Sequence, residues 1–510
     1  MVQLRNWRAS ARAWEAGRKA TRQALADNAA NRSSRGGLQV IKSSPEVPDV
    51  VAEVDVAIVG GGFTGGNLAT QLLRLARASG RPVRVAIVER EERLLCRGVA
   101  YSSPNRESHV LNFRAANTIA LPDDPTGFVR FVSELRGVDA ATAGAEHSPR
   151  WDFGSYVRKE LEDAATAEPS SECTAFEGEA VAVRPTAGGG GAIHISGGSE
   201  VRAKKVVLAT GNAPPSDPPV PGGALAEHPG YRRDVWEWVN APPTDVESEP
   251  GAAVLLVGSS LTAVDACLEL LDRGFGGAIH CVSLTGKLPM AHSSVIRERQ
   301  PPPVDVRTNP GALECLRAMR AEIARQPHWS SAVDSFRSIS VELWQGWPDA
   351  EKRRFLRHCR QIYTPHRNRV SLSVSERMEA AVASGKVILS AGRVEKVRAD
   401  AATVRYADGT AAAMDGPLLI LNCTGQNGEG LKHTQSALLR ELMATGLLNE
   451  DKLGLGFDCV GSGNVVGEDG PSDWLYAAGP VTAGLVWEAI SVPDLGVAVG
   501  KLAAELMAET

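Results

Sequence analysis

Cysteine pairs are absent from this chain of 510 residues: its eight cysteines are scattered singly, with no C-x-x-C spacing. That argues against a disulfide framework or a zinc site and predicts reduced thiols in a cytoplasm. No apolar run approaches the roughly 18 residues that a membrane span needs, and the first residues lack the apolar segment of a secretory signal. The ten histidines show no ligand spacing and no G-x-S-x-G elbow occurs, so metal catalysis and a Ser/His/Asp nucleophile find no support. Charge is not in excess either: a formal net charge of -5 gives no overall pull toward nucleic acid or a membrane. With 43% hydrophobic and 23% charged residues, the composition is that of a soluble protein long enough for two or three domains.

Glycine, in contrast, is abundant, with 51 residues, and one group of them organises the chain. Asp55–Val59 reads as a buried strand, and Gly60, Gly62, Phe63, Thr64 and Gly65 as a turn opening a helix. Gly60 permits the tight turn, Gly62 lets the backbone approach a pyrophosphate, and Gly65 lets the helix pack closely on its strand. The phosphates would then meet free N–H groups at the helix N-terminus. A helix over Leu68–Ala78 and a strand over Val83–Val88 follow. Glu89 ends that strand, where an acid takes the ribose hydroxyls of a dinucleotide. The loop-rich stretches beyond it carry Arg97, Tyr101 and Asn112 and resemble segments that line a ligand site.

The same order recurs. An apolar strand ends in Thr210-Gly211; Ala253–Val257 then leads into Gly258, Ser260, Leu261 and Thr262, with a helix over Ala263–Asp272 and a strand over Ala278–Ser283. Short strands at Val387–Leu389, Val394–Arg398 and Thr403–Tyr406 precede Leu418–Asn422, and Gly425 closes a second Thr-Gly. Two such α/β units predict two Rossmann-like domains in a glutathione-reductase-like arrangement, each holding a dinucleotide. The second loop has Ser260 and Ala263 where glycines would stand. Its second strand ends without an acid and has Lys287 nearby, which favours NADPH over NADH.

The expected organisation is a basic N-terminal extension at 1–49, a first part of the FAD domain at 50–248, an NAD(P)H domain at 249–413 with a helical insertion at about 311–382, and a second FAD part at 414–510. In the extension, Leu4, Trp7, Ala11 and Trp14 fall at helical spacing among arginines, a basic amphipathic helix able to meet a partner or a second subunit. In the insertion, Leu313, Leu316, Met319 and Ile323 form one face. Its basic block includes His366, Arg367 and Arg369, candidates to hold a substrate carboxylate. Near the end come an apolar strand at Trp474–Ala478, a Gly479-Pro480 turn, a helix start at Thr482–Ile490 and a closing helix at Leu495–Leu506.

From Val54 to Met507 these motifs resemble a bacterial FAD/NAD(P)-binding flavoprotein family that includes an FAD-dependent urate hydroxylase and, more distantly, L-aspartate N-hydroxylases. The resemblance runs through Gly60–Gly66, Arg97–Ser102, Leu111-Asn112, Gly258 with Asp265, Pro289 with His292, Leu453–Gly456 and Gly479 through Glu488. It implies FAD in the first unit, NADPH in the second, and a monooxygenase acting on a small polar substrate and dioxygen through a flavin C4a-hydroperoxide. On that implication Asn112 is a donor near the reactive edge, Trp487 an apolar wall, and Gly479 and Thr482 a turn close to the flavin. The chain departs from the pattern at Cys96, where glycine is common, at Phe113-Arg114, and at Ser283-Leu284-Thr285. An NAD(P)H-linked flavin reductase and a non-enzymatic flavin redox sensor are the alternatives.

Overall fold

The computed structural model describes residues 37–42, 51–103, 105, 107–212, 215–293, 301–425, 431, 434–488 and 490–509. The basic helix read at Leu4–Arg22 lies outside them. The first sheet has ten strands in the order β1 (Gln39–Lys42), β4 (Glu172–Glu177), β3 (Arg84–Glu89), β2 (Val51–Val59), β7 (Glu200–Leu208), β17 (Gly470–Ala477), β16 (Asn464–Gly467) and β15 (Cys459–Val460), with β5 (Ala180–Pro185) and β6 (Gly191–Ile195) folded onto β7. Neighbours from β1 to β17 are parallel. Helices cover a parallel sheet on both faces, so its central strands are continuous apolar runs: Val56, Ala57 and Ile58 are fully buried.

The second sheet repeats this plan with seven strands, in the order β13 (Ala411–Asp415), β12 (Ala401–Tyr406), β11 (Val387–Arg398), β10 (Ile279–Ser283), β9 (Ala253–Val257), β14 (Leu418–Asn422) and β8 (Tyr231–Arg232). In both sheets the strand before the glycine loop lies between the strand that follows its helix and a strand from much later in the chain. Chain connections therefore diverge at β2 and at β9, and a crevice opens outside the strand ends where ligands bind in such folds.

Two boundaries differ from the sequence reading. β14, expected in the second FAD part, pairs with β9 from Leu418↔Ala253 to Asn422↔Val257, and β8, expected in the first part, pairs with β14. The second sheet thus draws strands from both sides of 249–413, because its central strand needs a partner on each edge. The two short strands expected at Val387–Leu389 and Val394–Arg398 are one strand, parallel to β10 at its start and antiparallel to β12 at its end.

Helix α1 (Phe63–Ser79) follows β2, α2 (Arg150–Ala167) packs against α1, and α3 (Leu261–Asp272) follows β9. The helix start expected at Thr482–Ile490 is instead a single 3-10 turn at Pro480–Thr482 and further turns. Helix α4 begins only at Val492 and runs to Glu509. Proline is tolerated in a first turn, where its missing N–H costs nothing, and Pro493 sits there.

The helical insertion between β10 and β11 packs an aromatic cluster of Trp344, Trp347 and Phe355. Leu313, expected on its buried face, is 51% exposed; Ala312 and Cys315 are buried in its place.

Gly258 has φ +119°, and a Cβ on it would collide with the Cys423 carbonyl. Gly258→Ala is therefore expected to destabilise the second unit by about 1–3 kcal/mol, read as a lower melting temperature. An unchanged melting temperature would contradict this chain crossing.

Candidate dinucleotide sites and the junction between them

Both glycine loops are built by one device. Gly60 N–H donates to the Val88 carbonyl (2.8 Å) and Gly258 N–H to that of Val282 (2.7 Å). The next crossing strand closes over each: Ala209 N–H donates to Val59 (2.8 Å) and Cys423 N–H to Val257 (2.9 Å). A Cβ on Gly60 would strike the Ala209 carbonyl, just as one on Gly258 would strike that of Cys423. Thr210-Gly211 and Thr424-Gly425 follow these crossings, and both second glycines are left-handed, at φ 73° and 71°. Five of the expected residues, Gly60, Thr210, Gly211, Gly258 and Gly425, thus fall into two equivalent places.

Beyond Gly60, Gly65 has no room for a Cβ against the Gly60 carbonyl, which lets α1 start directly on its strand. Gly62 and Ser260 precede α1 and α3 in extended conformations, and Phe63-Thr64 and Leu261-Thr262 open the helices. Neither helix has a side-chain cap or an acid in its first turn. Free N–H groups and a positive dipole end are therefore presented at both loops. A Cβ on Gly62 would lie 3.2 Å from the Cα of Gly98 and press on that backbone, so a side chain there would narrow the cradle between these two glycines.

The acid at the end of β3 is partly committed. Glu89 accepts the Gly61 N–H at 2.8 Å, and burial raises its pKa against the lowering effect of that bond. In the second unit Ser283 takes the corresponding position, its hydroxyl bonded to that of Ser259 (2.7 Å) and accepting from the Gly286 N–H (2.9 Å). Lys287 is exposed, while its carbonyl accepts a bond from the Ser259 hydroxyl at 2.7 Å.

Arg97 lies in the loop against the first cradle. Its guanidinium is 4.5 Å from the centre of the Trp151 ring and reaches the Ser155 hydroxyl at 3.3 Å. Its Nε is buried without a partner, and burial lowers its pKa. A half-buried cation that, among the described residues, bonds a hydroxyl and no acid is suited to an anionic ligand. Tyr101 packs with Phe63 and Phe153, at 6.1 and 4.9 Å between ring centres, and so supports the loop. Opposite, a Cβ on Gly479 would lie 2.8 Å from Thr64 Oγ1, which places the C-terminal turn directly over the start of α1. The buried Thr482 hydroxyl donates to the Gly479 carbonyl at 2.8 Å and fixes that turn.

The remaining expected residues lie at the junction of the insertion with the two units. Trp487 stacks on Trp344, 4.7 Å between ring centres, and meets Phe355 edge-on at 5.4 Å, so its ring belongs to the insertion's aromatic cluster. Arg367 is buried in an ion pair with Glu488 at 3.1 Å, which also accepts from the Tyr363 hydroxyl at 3.0 Å. Arg369 is buried and pairs with Asp334. His366 is tied by Nδ1 to the Ile362 carbonyl at 2.7 Å. The two arginines are thus already paired with acids, unlike Arg97.

Asn112 is half-buried beside His292, whose ring interacts with the Asn112 backbone and lies 6.2 Å from Phe113 and 5.6 Å from His147. His292 Nε2 is buried without a partner. Burial first, then the charge of Arg369, pushes the His292 pKa down to about 4. The sequence reading assigned His292 no role, since a lone histidine after a proline carries no spacing signal. It also missed the bond of Asp265 to Arg150, residues far apart in the chain.

The fold and its paired glycine loops define an architecture of two Rossmann-like dinucleotide-binding units. A family model described as FAD-NAD(P)-binding matches residues 57–213. No curated protein matches the chain. Among solved structures it is similar to ornithine N-hydroxylase from Kutzneria sp. 744, titled with reduced FAD, NADP+ and L-ornithine, at 17% identity and a TM-score of 0.58 over 90% of this chain and 99% of that one. L-lysine 6-monooxygenase from Pseudomonas syringae follows at 14% and 0.58, covering 89% and 99%. A bacillithiol disulfide reductase from Staphylococcus aureus matches at 13% and 0.51, covering 90% and 99%. At these identities the likeness is one of fold.

A histidine held neutral in the folded state destabilises it once the unfolded chain can bind a proton there. His292 should therefore contribute stability above its ordinary pKa of about 6.5. That stability is lost as pH falls through the interval down to about 4. His292→Asn is expected to flatten the fall in melting temperature between those values, and parallel curves for both proteins would refute the assignment.

Proposed function

We propose that the protein is an FAD-dependent, NADPH-consuming monooxygenase that hydroxylates a small polar substrate. The observation that carries the cofactor part is the first glycine loop: an uncapped helix start whose Gly62 closes on Gly98, in a loop that also carries the half-buried Arg97 with its unpartnered Nε. FAD would be held by Gly60, Gly62, Gly65, Glu89 and Arg97, and the second dinucleotide by Gly258, Ser260 and the first turn of α3. When bound, these groups supply hydride transfer and oxygen activation. The chain's own residues bind, orient and exclude water. Asn112 and the Gly479–Thr482 turn flank the site from two sides, and the insertion, anchored through Trp487, covers the junction.

Similarity to the ornithine and lysine hydroxylases supports oxygen transfer, and with it a primary amine as the substrate group. The reductase reading is favoured by the bacillithiol reductase likeness but lacks an accessible dithiol among the described residues. Cys267 and Cys281, 3.6 Å apart, are fully buried in the second unit.

The test is a screen of small amines and amino acids for NADPH oxidation above background, with product analysed under 18O2. A yellow protein whose product carries the label is expected. Turnover that persists without oxygen would favour the reductase, and a colourless protein that takes up no added FAD would end both readings.

NADPH should be preferred over NADH by a modest margin, because Lys287 is exposed beside the second loop and no acid ends β10. Lys287→Glu should reverse that preference, measured as the ratio of kcat/KM for the two reductants. An unaltered ratio would remove this turn from cofactor recognition.

A further inference from the structure

Asp265, Glu269 and Asp272 stand at i, i+4 and i+7 on α3, so they share one helix face. That face meets the first unit. Arg150, at the start of α2, donates Nη1 and Nη2 to the two carboxylate oxygens of Asp265 at 2.8 and 3.1 Å, with both side chains at most 10% exposed. Its Nε donates to the Val110 carbonyl at 3.1 Å, and His109 Nε2 lies 3.1 Å from the Asp265 carbonyl. Asn105 donates to Glu269 at 2.9 Å and to Asp272 at 2.8 Å, and Ser108 bonds Asp272 as well.

The insertion makes a second tie well away from this face. Trp344 Nε1 donates to the Gly484 carbonyl at 2.8 Å, and Arg337 reaches Ser491 and Asp494 at 2.5 and 3.2 Å. Rotation of one unit on the other would leave Arg150 and Asp265 as unpaired buried charges and would pull the second tie apart.

We propose that Arg150 and Asp265 are positioning residues for the transfer of reducing equivalents between the two dinucleotides. Asp265 lies just over one turn from the start of α3, and that start is the second glycine loop. The pair therefore fixes the second loop relative to the first, and the two units work as one rigid body without a domain rotation. This rests on the two-cofactor reading above. The step served is movement of a hydride from the nicotinamide C4 of NADPH to the flavin N5, with one proton taken up from solvent, which oxidises the nicotinamide and reduces the flavin. The pair itself gains and loses nothing.

The test uses the full chain as purified, with Asp265→Asn, which keeps the shape of the side chain, and Arg150→Lys, which keeps the charge but loses the two-pronged contact. Hydrogen exchange read by mass spectrometry should accelerate only in segment 107–111 and the first two turns of α3. In anaerobic stopped flow, flavin reduction at saturating NADPH should slow by up to about a hundredfold in Asp265→Asn, the effect of a misplacement near 1 Å, and less in Arg150→Lys. NADP+ affinity and reduction by dithionite should not change. Wild-type reduction rates in both variants, or exchange that rises evenly over the whole chain, would overturn the inference. A wild type that neither NADPH nor NADH reduces would instead bring down the two-cofactor reading, and this inference with it.

Discussion

Everything in this molecule hangs on two places where one strand crosses over a glycine. At Gly60 and again at Gly258 the chain turns with φ near 100° or above, and a carbonyl from the crossing strand occupies the space a side chain would need. The contact locks the strand, the helix start and the later Thr-Gly turn into one geometry. Because each loop is pinned from both sides, its free N–H groups are already aimed when a phosphate arrives, and little ordering remains to oppose binding. The short hydrogen bonds to Val88 and Val282 show that the two units use the same construction despite different loop sequences.

The second unit uses hydroxyls where the first uses bare backbone and a carboxylate. Glu89 takes an N–H from Gly61, whereas the Ser283 hydroxyl is bonded to that of Ser259. Burial disfavours the charged form of the Glu89 carboxyl, whereas the neutral Ser283 hydroxyl carries no such cost. The insertion then joins the two. It grows from the second unit between β10 and β11, yet its aromatic cluster takes in Trp487 from the first. His292 lies at this junction, and burial there is the first cause of its lowered pKa.

How much of this was legible in the sequence depended on sequence distance. β2, its glycine loop, α1 and Glu89 are contiguous, and spacing alone placed them. The repeat of the pattern revealed the second unit. The edges of the units were not legible, because β8 and β14 are short apolar strands whose partners are decided by sheet geometry and not by neighbours in the chain. The region after Thr482 has apolar residues at helical spacing, but Glu488 is left-handed at φ 67° and is held there by Arg367 and Tyr363, contacts that no local pattern encodes. Trp487 carried the same ambiguity, since an apolar wall and a packed core residue look alike until the partner ring, Trp344, is known. Arg367 and Arg369 looked like free cations in a basic block. Their acids, Glu488 and Asp334, lie outside that block.

Cys96 shows how a strained backbone position can be absorbed. It adopts a left-handed conformation that favours glycine, with φ 65°. For a side-chain-bearing residue that conformation costs on the order of 1–2 kcal/mol. Two features offset it. The Cys96 N–H donates to the Gly61 carbonyl at 2.6 Å, tying the strained residue to the cradle. Its sulfur fills the space over Gly66, where a Cβ would lie only 2.7 Å away, so one residue supplies the side chain that the other lacks. The thiol is fully buried, and burial pushes its pKa up to about 12, which leaves it unreactive. The sulfur is therefore a packing atom beneath the loop that carries Arg97, and it adds no redox group to the site.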